Sequence, residues 1–247
     1  MILLLDIGNT RAKWARLVEG KLGEVGAALH QDHALPGALT PAFEGARPER
    51  VLICNVAGPL LGKAVADLCR ERFGLTPEFF VASAGCCGVK NGYRDPARLG
   101  ADRWAAVIGA FRHYGGPVCV VDAGTAITVD LVDRQGMHQG GLIAPGPQTM
   151  RRALAGATAG LPDEGEGELS LLARDTRSAI TSGGWQAAAG FLERIFRLLT
   201  HEVDAGTRFV LTGGDAERLL KLVPPHFMHR PYLVLEGLAV AAQEQAA

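Results

Sequence analysis

Apolar and polar positions along this chain switch repeatedly between strand-like and helical spacing, and the switches predict an alternating α/β protein. Ile2–Leu5 is a continuous apolar run that meets Asp6 at once. It is too short and lacks the basic flank of a signal peptide, and it reads as a buried strand. Residues 12–18 pair back on it as a hairpin, closed by Asp6–Arg11, where Gly8 and Asn9 supply turn conformations. Val51–Val56 is a second buried strand, followed by a helix over 59–73 and a strand over 78–81. Gly100–Tyr114 reads as a helix, and Val118–Val121 as a strand, with further strands over 129–132 and 141–144. Ala188, Phe191, Leu192, Ile195 and Leu199 recur at helical spacing, with Glu193, Arg194 and Arg197 on the other face, so a surface helix packs here on a core. Phe209–Leu211 is the last clear strand and Val234–Gln245 a closing helix.

The pattern contains an internal repeat. Leu3-Leu4-Leu5-Asp6-Ile7-Gly8-Asn9-Thr10 is echoed by Cys119-Val120-Val121-Asp122-Ala123-Gly124-Thr125. In each copy a buried strand delivers an aspartate, a glycine two residues on, a threonine and then a second strand. Two such stretches, nearly half a chain apart, predict duplicated domains. The boundary falls near Gly115-Gly116-Pro117, giving domains 1–115 and 116–247.

Composition narrows the function. The chain of 247 residues has 25 basic and 26 acidic side chains, a net charge of −1 that gives no field for nucleic acid or anionic lipid. No stretch reaches the 18 or so apolar residues that cross a bilayer. The five cysteines follow no Cys-x-x-Cys metal spacing; Cys54 and Cys119 lie in apolar strands, so a reducing cytoplasm is the simplest home. Adjacent Cys86-Cys87 is a candidate redox pair. Glycine alone is abnormal, at 32 residues, nearly twice the usual share of roughly 7%.

Several of those glycines sit where chemistry would need them. A strand-end carboxylate can hold Mg²⁺, glycine bares the backbone N–H groups, and threonine or asparagine can bind phosphate oxygens. Two facing turns of this kind would grip a polyphosphate and its metal; each alone is also a plain hairpin turn. Leu211-Thr212-Gly213-Gly214-Asp215 again follows a strand and opens a helix, a setting for backbone contact with a nucleotide or for simple helix entry. The densest polar stretch is Asn91–Trp104, a proline-containing loop running into a helix. Asp102 in its first turn can accept a proton from a hydroxyl, and Arg103 can pair with a carboxylate. The same two residues also fit dipole compensation and a solvated helix face. The P-loop, Gly-x-Gly-x-x-Gly, His-Glu-x-x-His and Gly-x-Ser-x-Gly signatures are absent from the sequence. The weakly periodic, glycine-containing segment 155–170 reads equally as a mobile loop near the site or as a surface connection.

Together these motifs make the chain resemble the type III pantothenate kinases, of the superfamily of acetate and sugar kinases, chaperone ATPases and actin. The matches are D-x-G-N-T at Asp6–Thr10, N-x-Y-x-x-P-x-x-L-G-x-D-R at Asn91–Arg103 and D-x-G-T-A at Asp122–Ala126. They continue with H-x-G-G-x-I-x-P-G at His138–Gly146, D-T-x-x-A-I at Asp175–Ile180 and T-G-G-D at Thr212–Asp215, in the family's order and over nearly the whole chain.

The resemblance implies two duplicated RNase H-like (actin-like ATPase) domains with an ATP cleft between them. It implies ATP-dependent phosphorylation of pantothenate to 4′-phosphopantothenate, the first step of coenzyme A biosynthesis, with Asp102 as general base. By the same resemblance, Asp6, Ile7, Gly8, Asn9, Thr10, Arg11, Ala12 and Lys13 form the first phosphate loop, and Thr125 contacts ATP. Asp6 serves Mg²⁺, and Asp122 a monovalent cation, K⁺ or NH₄⁺. Tyr93, Gly100, Ala101, Asp102, Arg103 and Thr176 line the pantothenate site, which a homodimer completes. The resemblance also reaches a branch known as Bvg accessory factors, linked to virulence-gene regulation. The alternatives are therefore a non-enzymatic regulatory factor, or a superfamily kinase acting on another small hydroxyl or carboxyl substrate.

Overall fold

The computed structural model describes residues 1–30, 35–158 and 165–244. Its first sheet is built around β1 (Ile2–Ile7), whose Leu3, Leu4 and Leu5 are fully buried, as expected where helices cover both faces. β2 (Arg11–Val18) returns antiparallel beside β1, and β3 (Lys21–Leu29) antiparallel beside β2. Two short helical turns, α1 (Leu35–Ala38) and α2 (Thr40–Phe43), lead to β4 (Arg50–Asn55), which lies parallel to β1 on its other side. Helix α3 (Pro59–Phe73) starts on a proline, ends at a left-handed Gly74 and delivers the short β5 (Glu78–Phe79), parallel to β4. The sheet order is thus β3-β2-β1-β4-β5. Leu3, Leu5, Ile7, Val51 and Ile53 share a core with Phe43 and with Val65 and Cys69 of α3. A small hairpin of β6 (Gly85–Cys86) and β7 (Val89–Lys90) and a 3₁₀ turn (Pro96–Arg98) precede helix α4 (Ala101–Tyr114).

The second sheet repeats the plan. It is formed by β8 (Val118–Ala123), β9 (Ala126–Val132), β10 (His138–Pro145), β11 (Arg208–Thr212) and β12 (Phe227–His229), with helices α5 (Pro147–Ala157), α6 (Thr176–Leu198) and α7 (Ala216–Leu219) between them. Its order, β10-β9-β8-β11-β12, is that of the first sheet, and β11 is parallel to both β8 and β12. Trp185, Ala188 and Leu192 of α6 pack on Val121, Ile127, Phe209 and Leu211 of this sheet. The chain closes with α8 (Leu233–Glu244). Two α/β units of one strand order are the duplicated RNase H-like fold that the sequence motifs imply.

By contact, one unit comprises Met1–Gly115, Val132–Gly140 and the chain from Tyr232 onward, and the other Gly116–Leu131 and Gly141–Pro231. The closing helix therefore counts with the N-terminal unit, although a simple cut of the sequence places it with 116–247. The reason is a tight helix crossing: a Cβ on Gly109 of α4 would lie 2.8 Å from Leu233 O, and one on Gly237 of α8 would collide with the Ala105 carbonyl. Two bare glycines let the helix backbones touch there.

Several elements differ from the sequence pattern. β3 carries Gly23 and Gly26 among mixed polarity; its pairing with β2, which sets Gly26 opposite Trp14, makes it a strand. The strand expected over 78–81 is ordered only at Glu78–Phe79, whereas the expected helix around 188–199 starts much earlier, at Thr176. Of segment 155–170, the first three residues finish α5, 159–164 lie outside the described residues, and Gly167, Glu168 and Ser170 donate backbone hydrogen bonds to Thr181, Ser178 and Ser182 of α6. Among the described residues no helix is long and apolar enough to cross a membrane.

Candidate active site

In the N-terminal unit the Asp6–Lys13 segment is the hairpin turn between β1 and β2. Asp6 is only 8% exposed at the end of β1, whereas Asn9, Thr10 and Arg11 are exposed and Gly8 half-buried. The turn closes with Gly8 N–H donating to Arg11 O at 3.1 Å. The strand register sets Ile7 opposite Ala12, both buried, and Asp6 opposite Lys13, so the carboxylate and the ammonium project from one face. Ile7 and Ala12 thus anchor the turn while its tip is open to solvent.

His30, which the sequence reading passed over, holds this tip in place. Its backbone N–H donates to Thr10 O at 3.0 Å, and its buried ring places Nε2 2.8 Å from Gly8 O. A carbonyl only accepts, so Nε2 carries the proton. A second missed element is the turn after β4, at the strand end that pairs Asn55 with Ile7. There Val56 N–H donates to Ile7 O, Asn55 Oδ1 accepts from Ala57 N–H and Asn55 Nδ2 donates to Gly58 O. No local signal marks either one, because both are recruited by the sheet.

The C-terminal unit gathers the other glycine motifs. Asp122 is half-buried at the end of β8, beside Thr212 in the parallel register with β11. Gly213 has a φ of +100°, and a Cβ there would collide with Ala123 O and the Asp122 carboxylate. Asp215 N–H donates to Ala123 O at 2.9 Å, which lashes the Thr212–Asp215 turn onto the Asp122–Ala126 turn. Thr125 O accepts from Gly146 N–H at 3.0 Å and from Thr149 Oγ1 at 2.5 Å, so the His138–Gly146 motif also ends at this turn. Thr176 is the exposed first residue of α6. Its neighbour Asp175 caps the helix, and the Ser178 N–H it accepts (2.9 Å) holds its carboxyl below the usual range.

The Asn91–Arg103 segment forms a single polar cluster in the N-terminal unit. Asn91 Nδ2 donates to Ser83 O and Pro96 O, and its Oδ1 accepts from Tyr93 N–H, so this one side chain shapes the loop. Gly92 has no room for a side chain, since a Cβ would strike the His138 carbonyl. Tyr93 stacks on His138, with centroids 5.8 Å apart, and its hydroxyl accepts from Arg103 Nη1 at 2.7 Å. The Arg103 guanidinium also lies over the Tyr93 ring at 5.6 Å. Arg103 is buried, not on a solvated helix face. Gly100 precedes α4 as its N-cap, and Ala101 and Asp102 begin the helix, both half-buried. Asp102 Oδ1 accepts from Arg103 N–H at 2.8 Å and folds back over Gly100, where a Cβ would be 2.7 Å away. The fold thus brings Tyr93, Gly100, Ala101, Asp102 and Arg103 together, while Thr176, Asp122 and Thr125 stand in the other unit. Chemically, the cluster offers a carboxylate fit to take a proton and a preset Arg–Tyr pair fit to hold an anion.

Residues 2–198 match the sequence profile of the type III pantothenate kinases. A type III pantothenate kinase from Aromatoleum aromaticum is 45% identical over 247 residues, covering all of both chains. Among solved structures, a Campylobacter jejuni protein of the Baf family of transcriptional activators superposes with a TM-score of 0.60 at 21% identity, covering 99% of this chain and 98% of that one. An inorganic polyphosphate/ATP-glucomannokinase from Arthrobacter superposes with a TM-score of 0.51 at 17% identity, covering 99% and 98%. At these identities the two structures bear on the fold alone.

Proposed function

The chain belongs to the type III pantothenate kinase family, and from that premise we propose which of its residues perform the reaction. The protein is an enzyme that uses ATP to phosphorylate pantothenate to 4′-phosphopantothenate, the first step of coenzyme A biosynthesis. A purely regulatory role is not favoured. One observation carries the assignment of the base. Asp102 stands in the first turn of α4 with its carboxylate fixed by Arg103 N–H, beside the buried Arg103 and the half-buried Tyr93 it pairs with. Asp102 accepts the proton of the substrate hydroxyl, and Arg103 and Tyr93 hold the pantothenate carboxylate, with Gly100, Ala101 and Thr176 completing the site. Phosphoryl transfer asks mainly for positioning and charge neutralisation, so a carboxylate is a sufficient base.

The donor set fits ATP with Mg²⁺. Asp6 offers a hard oxygen ligand at a strand end, and Asn9, Thr10 and Arg11 present exposed polar groups at the tip of the turn that follows it. Bound Mg·ATP supplies the phosphoryl group. Asp6 would hold the metal, Gly8–Lys13 would hold phosphate oxygens, and Thr125 would contact the nucleotide. Asp122 would hold a monovalent cation, K⁺ or NH₄⁺. The enzyme works as a cytoplasmic homodimer.

The test is ATP- and Mg²⁺-dependent turnover of pantothenate, with and without K⁺, for wild type and Asp102→Asn. The variant is expected to lose about 10²- to 10⁴-fold in kcat with an unchanged pantothenate KM. A fully active Asp102→Asn enzyme would remove Asp102 as the base. Turnover of a sugar or acetate in place of pantothenate would overturn the substrate.

A further inference from the structure

Cys86 and Cys87 take no part in this chemistry, yet they occupy a position that turn preference does not explain. They end β6 and begin the two-residue turn to β7, and Cys87 and Gly88 both have positive φ, 54° and 82°. Positive φ at both central residues marks a mirror-image hairpin turn, for which Asn-Gly or Asp-Gly is strongly preferred. Cysteine is not a left-handed residue, and holding one there costs conformational energy.

The turn places three ligand atoms together. Cys86 Sγ and Cys87 Sγ are 3.2 Å apart, and both reach Glu244 Oε2, at 3.4 and 3.1 Å. Glu244 comes from the last turn of α8 and also accepts Cys87 N–H at 2.8 Å, which fixes the carboxylate over the two sulfurs. All three ligand atoms lie within 4.8 Å of one another. Both cysteines are half-buried and Glu244 is exposed, so the cluster has a solid floor and an open entrance. Burial first, with the nearby carboxylate adding to it, pushes both thiols upward. Three negative charges in this space would repel one another unless a cation joined them.

We infer that Cys86, Cys87 and Glu244 form a binding site for one thiophilic divalent cation of the zinc or cadmium class. Two sulfur donors and one carboxylate suit such an ion and disfavour Mg²⁺ or Ca²⁺, and solvent completes its coordination. Binding forms two metal–sulfur bonds and one metal–oxygen bond and releases one proton from each thiol; no electron moves. The cluster shares no residue with the proposed catalytic set of Asp6, Asp102 and Asp122. It ties the end of α8 to the hairpin from which the substrate loop starts, where Asn91 N–H donates to Ala84 O.

The test is anaerobic titration of the reduced, chelator-treated full chain with Cd²⁺, read by the ultraviolet thiolate-to-metal charge-transfer band and by proton release in weak buffer. One ion per chain and two protons per ion are expected. Cys86→Ser and Cys87→Ser should each release one proton, and the double variant should lose the band while keeping wild-type circular dichroism. Glu244→Gln should retain the band with affinity weakened about tenfold or more. No band at millimolar Cd²⁺, or a band that survives in the double variant, would overturn the assignment. Cys54, Cys69 and Cys119 are buried, so a band arising from them would require unfolding, which circular dichroism reports.

Discussion

A few side chains and a few missing side chains set the geometry on which phosphoryl transfer would depend. His30 fixes the first glycine turn through Gly8 O and Thr10 O, while its Nδ1 is buried with no hydrogen-bond partner among the described residues. His30→Ala leaves the Gly8 carbonyl without its donor, a loss of about 1 kcal/mol. Steady-state kinetics should show the ATP KM rising about fivefold, with the pantothenate KM unchanged and part of the loss recovered in His30→Gln. An equal rise in both constants would make His30 a general stability residue instead. At Gly92 the constraint is steric, so Gly92→Ala must push the loop off the His138 carbonyl. That strain costs about 1–3 kcal/mol. It should raise the pantothenate KM more than the ATP KM, because the displaced loop carries Tyr93.

At the level of elements, contacts between helices decide what their own sequences do not. The α4–α8 crossing works only because Gly109 and Gly237 have no Cβ, and Gly237→Ala should destabilise the protein by about 2 kcal/mol or more, seen as a lower melting temperature. A variant that melts like wild type would show that the helices can separate at no cost. On α3, burial raises the Cys69 thiol to about 11, against the partial opposition of Arg70. Its ordinary value is about 8.5. A thiol raised in the folded state stabilises fully below its unfolded value and loses that contribution as pH rises through the folded one. Urea midpoints measured from neutral pH to pH 11 should therefore fall more steeply for wild type than for Cys69→Ala. Parallel curves would contradict the sign.

For the whole molecule, the N-terminal unit is not a continuous piece of chain. Arg50 joins Glu78 through two hydrogen bonds of 2.8 and 2.9 Å and reaches Ala242 O in α8, so strand β4 is tied to both its neighbour and the chain's last helix. A fragment of residues 1–115 would expose the α4 face that α8 covers, including the backbone at Ala105 and Gly109. It should show no cooperative melt by circular dichroism. A cooperative transition in that fragment would make α8 dispensable.

Apolar runs and period switches along the chain determined the main strands and helices, and the echoed Asp-x-Gly turns announced a fold repeated twice. Those signals are local: a strand end, a bare glycine and a following hydroxyl need only neighbours in sequence. The motifs that carry the proposed site are local for the same reason, including the turns that hold Asp6 and Asp122 and the helix start that holds Asp102. Tertiary structure alone decided that a glycine-bearing stretch becomes β3, that Arg103 is buried against Tyr93, and that α8 joins the first unit. It also decided that His30 and the Asn55–Gly58 turn attend the first glycine turn, and that Glu244 meets Cys86 and Cys87. In each case the partner lies far away in sequence or in a neighbouring strand, and no local propensity encodes a contact whose energy exists only once both partners are packed.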